Sequence, residues 1–194
     1  MFSRLLAVFF IAVAVSALPF FGCSNQACRP GYSLFTGNCM CYKLSSTSMS
    51  FNQSLAYCAA DNSTLPKVLN EAHNDFLVSL ISNSSANPWI GLICSKQHDV
   101  NNCRWVNGTS VSVSGYGNFL NEKSVQANTG VFMISRNQTL LGQWASANFT
   151  DASGAAFCEQ KPLTSGQLHQ FILNTRHNAT KFRQTYVAGT GRRI

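Results

Sequence analysis

The sequence predicts an α+β fold, and three observations carry that reading. Two amphipathic helical patterns come early, within residues 51–81. Short β-type runs follow, separated by Gly, Asn and Ser clusters and by one long irregular stretch. The third observation is covalent. Eight cysteines sit in a chain of 194 residues that opens on an apolar leader, so disulfides are the expected use of the even count.

Arg4, the unbroken apolar run 5–15 and the small residues Val15-Ser16-Ala17 have the form of a secretory signal peptide, residues 1–17. The run is too short to span a bilayer as a helix. Residues 18–162 are expected to form one domain and 163–194 a basic tail. Pro30-Gly31 and Thr36-Gly37-Asn38 mark a cysteine-stapled hairpin over 23–43. Phe51, Ser54, Leu55 and Cys58 recur at helical spacing after serines that supply N-caps. Asn70 caps a second helix, Glu71 suits its positive end, and Phe76, Leu77, Leu80 and Ile81 form its apolar stripe. Asn87-Pro88 stops it. Strands are expected at 89–94, 104–106, 130–134, 140–144 and 155–159.

Charge excludes a nucleic-acid reading. The net charge is +7, yet residues 18–162 hold eight Lys/Arg against seven Asp/Glu. The excess lies in the tail, where Arg176, Lys181, Arg183, Arg192 and Arg193 have no carboxylate among them. Leu168, Phe171, Ile172, Thr175, Ala179, Phe182 and Tyr186 recur there near helical spacing. The tail therefore reads either as a solvated, flexible segment or as an amphipathic helix with weak attraction to anionic membranes. Of these two, the poor helix formers Asn174, Thr175, Asn178 and Thr180 favour the solvated segment. Sequons at Asn52, Asn62, Asn83, Asn107, Asn137, Asn148 and Asn178 point to a secreted, extracellular glycoprotein. His73, His98, His169 and His177 are scattered without a paired nucleophile, and every cysteine has a disulfide partner to hand. No enzyme, cofactor or metal is expected.

The order of these motifs resembles the C-type lectin-like domain, in particular the secreted forms expanded in nematodes. The residues that carry the resemblance are Cys28-Arg29-Pro30-Gly31-Tyr32, Cys41-Tyr42-Lys43, Trp89-Ile90-Gly91-Leu92, Arg104-Trp105, Gly142-Gln143-Trp144 and Phe157-Cys158-Glu159. The resemblance implies two helices flanking small antiparallel sheets, a long irregular loop, and the pairs Cys58–Cys158 and Cys94–Cys103. Closing ~100 residues with the first pair stabilises by roughly 4–5 kcal/mol in the chain-entropy model, and the short second loop by ~2.5–3 kcal/mol. Cys23, Cys28, Cys39 and Cys41 admit three connectivities. The resemblance leaves two of them open: the usual spacing of the family hairpin implies Cys28–Cys39 with Cys23–Cys41, while the family's hairpin cysteine, which precedes a pair like Tyr42-Lys43, implies Cys28–Cys41 with Cys23–Cys39.

Two departures from the family pattern shape the functional reading. Its second core disulfide would join positions 130 and 149, which are Gly130 and Phe149 here. Its calcium ligands are also replaced. The loop triplet reads Glu122-Lys123-Ser124 and the residues after the strand tryptophan read Ala145-Ser146, which leaves too few carboxylates for a hard cation. Trp89 and Trp144 are expected in the core, whereas Trp105, Tyr116, Phe119, Glu122 and Lys123 are the candidate ligand surface. The resemblance implies a non-enzymatic recognition module for an extracellular protein or glycoconjugate, working without calcium, with innate defence among the settings such modules serve. The rival reading is a structural matrix or coat glycoprotein, and calcium-dependent sugar binding ranks behind both.

Overall fold

The computed structural model describes residues 22–23, 25–81, 86–152 and 154–190, with backbone alone beyond residue 177. The signal-peptide and Asn83 expectations lie outside the described residues, as do the side chains of Asn178, Lys181, Phe182, Arg183, Tyr186, Arg192 and Arg193. Seven strands are described: β1 (Ser33–Phe35), β2 (Met40–Leu44), β3 (Asn87–Cys94), β4 (Cys103–Trp105), β5 (Thr129–Met133), β6 (Trp144–Asn148) and β7 (Gly154–Gln160). The helices are α1 (Phe51–Ala60), α2 (Glu71–Ile81), α3 (Val111–Ser114) and α4 (Ser165–Thr190). The strands lie in the order β1-β2-β7-β3-β5-β6, with β4 on β3. All pairings are antiparallel except β3 with β7, where Asn87 to Trp89 run parallel to Gly154 to Ala156. That parallel seam joins the expected antiparallel pieces into one mixed sheet.

Local chemistry explains the helices. Ser50 and Gln53 form a reciprocal capping box at the start of α1, which buries Phe51, Ser54 and Cys58. The helix ends where Asn62 adopts a left-handed φ of 51°, a conformation asparagine tolerates. Asp61 then ties this end to the hairpin: its carboxylate meets Lys43 Nζ at 2.6 Å, Tyr32 Oη at 2.7 Å and Arg29 at 3.5 Å. These hydrogen bonds hold the Asp61 carboxyl below its ordinary range. In α2, Asn70 Oδ1 accepts the His73 N–H at 2.9 Å. His73 itself is fully buried, stacked on Phe35 at 4.9 Å and edge-on to Tyr42 at 4.9 Å. Burial lowers its pKa to about 4.

The Trp-Ile-Gly-Leu motif is a crossing point. Trp89 is fully buried and donates its indole N–H to Met49 O at 2.9 Å. A Cβ at Gly91 would lie 2.7 Å from Leu65 O, and the Gly91 N–H bonds Pro66 O at 2.9 Å. Only a residue without a side chain lets the 65–66 segment lie directly on β3.

Disulfides link Cys23–Cys39, Cys28–Cys41, Cys58–Cys158 and Cys94–Cys103. The hairpin therefore takes the connectivity set by the Tyr42-Lys43 context rather than the one favoured by spacing. At the position of the family's second core disulfide, Gly130 lies under the Phe51 ring and Phe149 packs on that ring at 5.4 Å. Three aromatic side chains, Phe51, Phe149 and Trp89, fill the space with apolar contact in place of a covalent bond.

Two expectations are corrected. The 140–144 run is not a strand: Asn137 caps a 3-10 turn at Gln138–Leu140, Gly142 turns the chain at φ 83°, and β6 begins at Trp144. A Cβ at Gly142 would meet Val78 at 2.6 Å, so α2 presses this turn from above. Of its two readings the tail takes the helical one rather than the coil that its poor helix formers favour, though it stays solvent-exposed over 165–177: Thr164 and Gln167 form a capping box (2.9 and 3.2 Å) that starts α4. The Leu163 N–H first bonds Ala27 O at 2.8 Å, seating the start of the tail on the hairpin.

Candidate functional site

Residues 95–128 join β3 to β5 and hold the five residues expected to face a ligand. The short Cys94–Cys103 bridge closes the first part of this loop. Asp99 is committed there: its carboxylate accepts from the Asn101 backbone N–H at 3.1 Å and from the Asn102 side chain. Asn121 caps a second turn, Glu122–Ser124, by accepting the Ser124 N–H at 2.9 Å.

The loop is anchored on Trp144. Backbone bonds run from Trp144 N–H to Asn118 O (2.8 Å) and from Leu120 N–H to Trp144 O (2.9 Å). The buried indole N–H donates to Asn74 Oδ1 at 2.9 Å, and Asn74 and Asn118 both donate to Gly142 O. Around this indole stand Trp105, Tyr116 and Phe119, each edge-on with centroids at 5.9, 5.7 and 5.5 Å, a geometry worth about 0.5–1.5 kcal/mol per pair beyond burial.

Trp105 thus leaves the candidate surface. It is 2% exposed and belongs to the core, because β4 turns its ring inward onto Trp144. Tyr116 and Phe119 are half-buried. Together with Val100, Val111, Asn121 and Glu122 they line a cleft of about 460 Å³, within the range of small-ligand sites. Burial and the nearby carboxylates of Glu71 and Asp75 raise the Tyr116 phenol, so it stays neutral and able to donate. Glu122 is exposed at the rim, and Lys123 is exposed beside it without lining the cleft.

The residues that would hold calcium are otherwise engaged. Ser146 is 8% exposed; its Oγ accepts the Gln126 N–H at 2.8 Å and donates to Ser124 O at 3.2 Å. The hydroxyl that replaces a carboxylate ligand is used to clip the loop to β6. Lys123 places an ammonium next to the lone carboxylate of that turn. Among the described residues no three His, Cys, Asp or Glu side chains group as a metal set. This donor set does not fit a calcium ion, which takes six to eight hard oxygens.

Sequence reasoning missed Asn74 and Asn118 and read Ser146 only as a replaced ligand; all three build the site without facing the cleft. Their roles depend on partners 70, 24 and 22 positions away, so no local pattern announces them. Of the sequon asparagines, Asn52, Asn62, Asn107, Asn137 and Asn148 are exposed.

The sequence pattern of the family described as "Lectin C-type domain" matches residues 47–161. The chain is 33% identical over 118 residues to the secretory phospholipase A2 receptor of Oryctolagus cuniculus, a match covering 60% of this chain and 8% of the receptor. It therefore spans about a twelfth of that relative's length. Two solved structures share its fold. One is described as an SPL-1–GlcNAc complex (TM-score 0.58, 22% identity, 69% of this chain and 94% of that one). The other is the Ca2+-independent C-type lectin SPL-2 of Saxidomus purpuratus (TM-score 0.54, 22% identity, 69% and 93%).

Proposed function

Since this chain belongs to the lectin C-type domain family, we propose that it acts outside the cell as a non-enzymatic recognition module that binds a glycoconjugate, or a glycosylated protein, without calcium. The observation that carries this reading is the Ser146 clip. It orders the long loop by hydrogen bonds, so the Tyr116–Phe119 cleft is formed without a metal. A cleft with aromatic walls, a neutral phenol, an amide and a carboxylate at its rim matches a sugar ring, which has one apolar face and hydroxyls around its edge. The described relatives that bind GlcNAc or dispense with calcium support the same reading. Extracellular placement is supported by four disulfides, and no described helix is long and apolar enough to cross a membrane. The tail cations add a weak attraction to anionic surfaces that salt screens.

A glycan array run in calcium and again in chelator tests this. Saturable binding is expected in both, with Tyr116→Phe and Glu122→Ala each weakening it about tenfold, as loss of one directed hydrogen bond does. Binding that vanishes in chelator, or that both variants leave untouched, would place the ligand elsewhere.

A further inference from the structure

A second concavity lies away from this loop. A groove of about 600 Å³ is walled by the hairpin, the turn after α1, the end of β7 and the first turn of α4. A cleft of about 530 Å³ continues it, sharing Arg29, Leu163 and Gln167 and reaching Phe171 on α4. Phe171 is 42% exposed, and with its exposed neighbours Ile172 and Leu173 it makes a short apolar stretch on α4.

Gln160 also lines the groove. It is 6% exposed, and its Nε2, which is closed off from solvent, has no hydrogen-bond partner among the described residues. A buried amide donor in this condition is costly unless something supplies an acceptor. Asn62 lines the same groove and opens the sequon Asn62-Ser63-Thr64. Thr64 is pinned to Glu159 by two backbone hydrogen bonds, 2.9 and 2.7 Å, so the sequon runs alongside the end of β7. The groove and a sugar attachment point therefore coincide.

We propose that the occupant of this groove is the chain's own N-linked glycan on Asn62. The linkage forms when Asn62 Nδ2 displaces a lipid-linked diphosphate from the anomeric carbon of the donor sugar and loses one proton. The innermost sugars then lie along the groove, offering acetamido and hydroxyl oxygens to Gln167 and Lys161 on its open side. The apolar face of a ring covers Leu163 and Phe171. The glycan joins α4 to the body, which otherwise holds the start of that helix through the Leu163 N–H bond to Ala27 O. The inference rests on the chain passing through the secretory route.

The test uses the full chain secreted from a eukaryotic host, with site-resolved mass spectrometry of glycopeptides. Under native conditions an endoglycosidase should release the Asn62 glycan on the order of tenfold more slowly than those at Asn52 and Asn107, because release waits for the groove to open. Asn62→Gln and Thr64→Ala, which both abolish the sequon, should speed proteolysis within residues 165–177 severalfold, while Thr64→Ser, which keeps it, should not. Modified Asn52 or Asn107 with a bare Asn62, or equal release rates with unchanged proteolysis, would overturn the groove assignment. A protein with sugar at none of these sites would instead overturn the secretory reading on which it rests.

Discussion

Gly130→Ala puts one methyl where the Phe51 ring is already seated. A Cβ at Gly130 falls 2.3 Å from Phe51 Cδ2 and 2.6 Å from Cγ, well inside the ~3.5–4.0 Å of comfortable carbon contact. The ring has nowhere to go. It is fully buried, edge-on to Trp89 at 5.6 Å and tilted on Phe149 at 5.4 Å. Overpacking of this kind costs about 1–3 kcal/mol, a sizeable share of the ~5–15 kcal/mol that holds a domain together. Gly130 is not among the glycines with positive φ, so its backbone suits alanine and the cost is steric. It follows that the cost depends on the ring. Phe51→Ala alone should cost about 3–5 kcal/mol, and in that background Gly130→Ala should be near neutral. Urea unfolding of the oxidised wild type, both single variants and the double variant, followed by tryptophan fluorescence, gives a coupling energy of about 1–3 kcal/mol. An equal cost in both backgrounds would refute the idea that aromatic packing stands in for a disulfide here.

Three further outcomes follow from the same contacts. Asn74→Leu strips the acceptor from the Trp144 indole N–H and one donor from Gly142 O; the urea midpoint should fall by the equivalent of about 1–3 kcal/mol, and Asn74→Asp should not rescue it, because its second carboxylate oxygen would face the Gly142 carbonyl as acceptor against acceptor. His73 stays neutral in the fold down to about pH 4, whereas the unfolded chain protonates it below about 6.5. Stability from this group is thus lost as pH falls from ~6.5 to ~4, by up to ~3 kcal/mol. Buried Glu159, whose pKa is raised, gives the opposite slope, so the difference between wild type and His73→Phe, measured by denaturant titration across that window, isolates the histidine. Calorimetry should show the same melting midpoint in millimolar calcium and in chelator, whereas a calcium-dependent rise would mean that the loop has donors beyond Glu122.

Much of this fold was legible because it is periodic or punctuated. The α1 and α2 stripes, the cap at Asn70 and the run from Trp89 to Cys94 are local patterns, and local patterns survive into the structure. The errors share a different cause. Leu140-Leu141 looked like strand because it is apolar, but the left-handed turn at Gly142 and the pressure of Val78 decide the matter from a distance. Trp105 looked open because it follows a disulfide loop; its partner is Trp144, about forty positions on. The helix after Leu163 was legible, however. Thr164-x-x-Gln167 is a capping-box signature, passed over in a sequence reading that attended only to the poor helix formers that follow.

The covalent wiring of the body also governs how it would behave under tension. For a pull applied between Cys28 and Leu163, the bridges Cys28–Cys41 and Cys58–Cys158 bypass sequence separations of 13 and 100. Only roughly 22 residues remain to be drawn out, about 75 Å at full stretch. Reduction would lengthen that to roughly 450 Å or more. While oxidised, the domain is a nearly inextensible bead, and the β3–β6 region with its cleft lies within the segment that the Cys58–Cys158 bridge keeps out of the line of force.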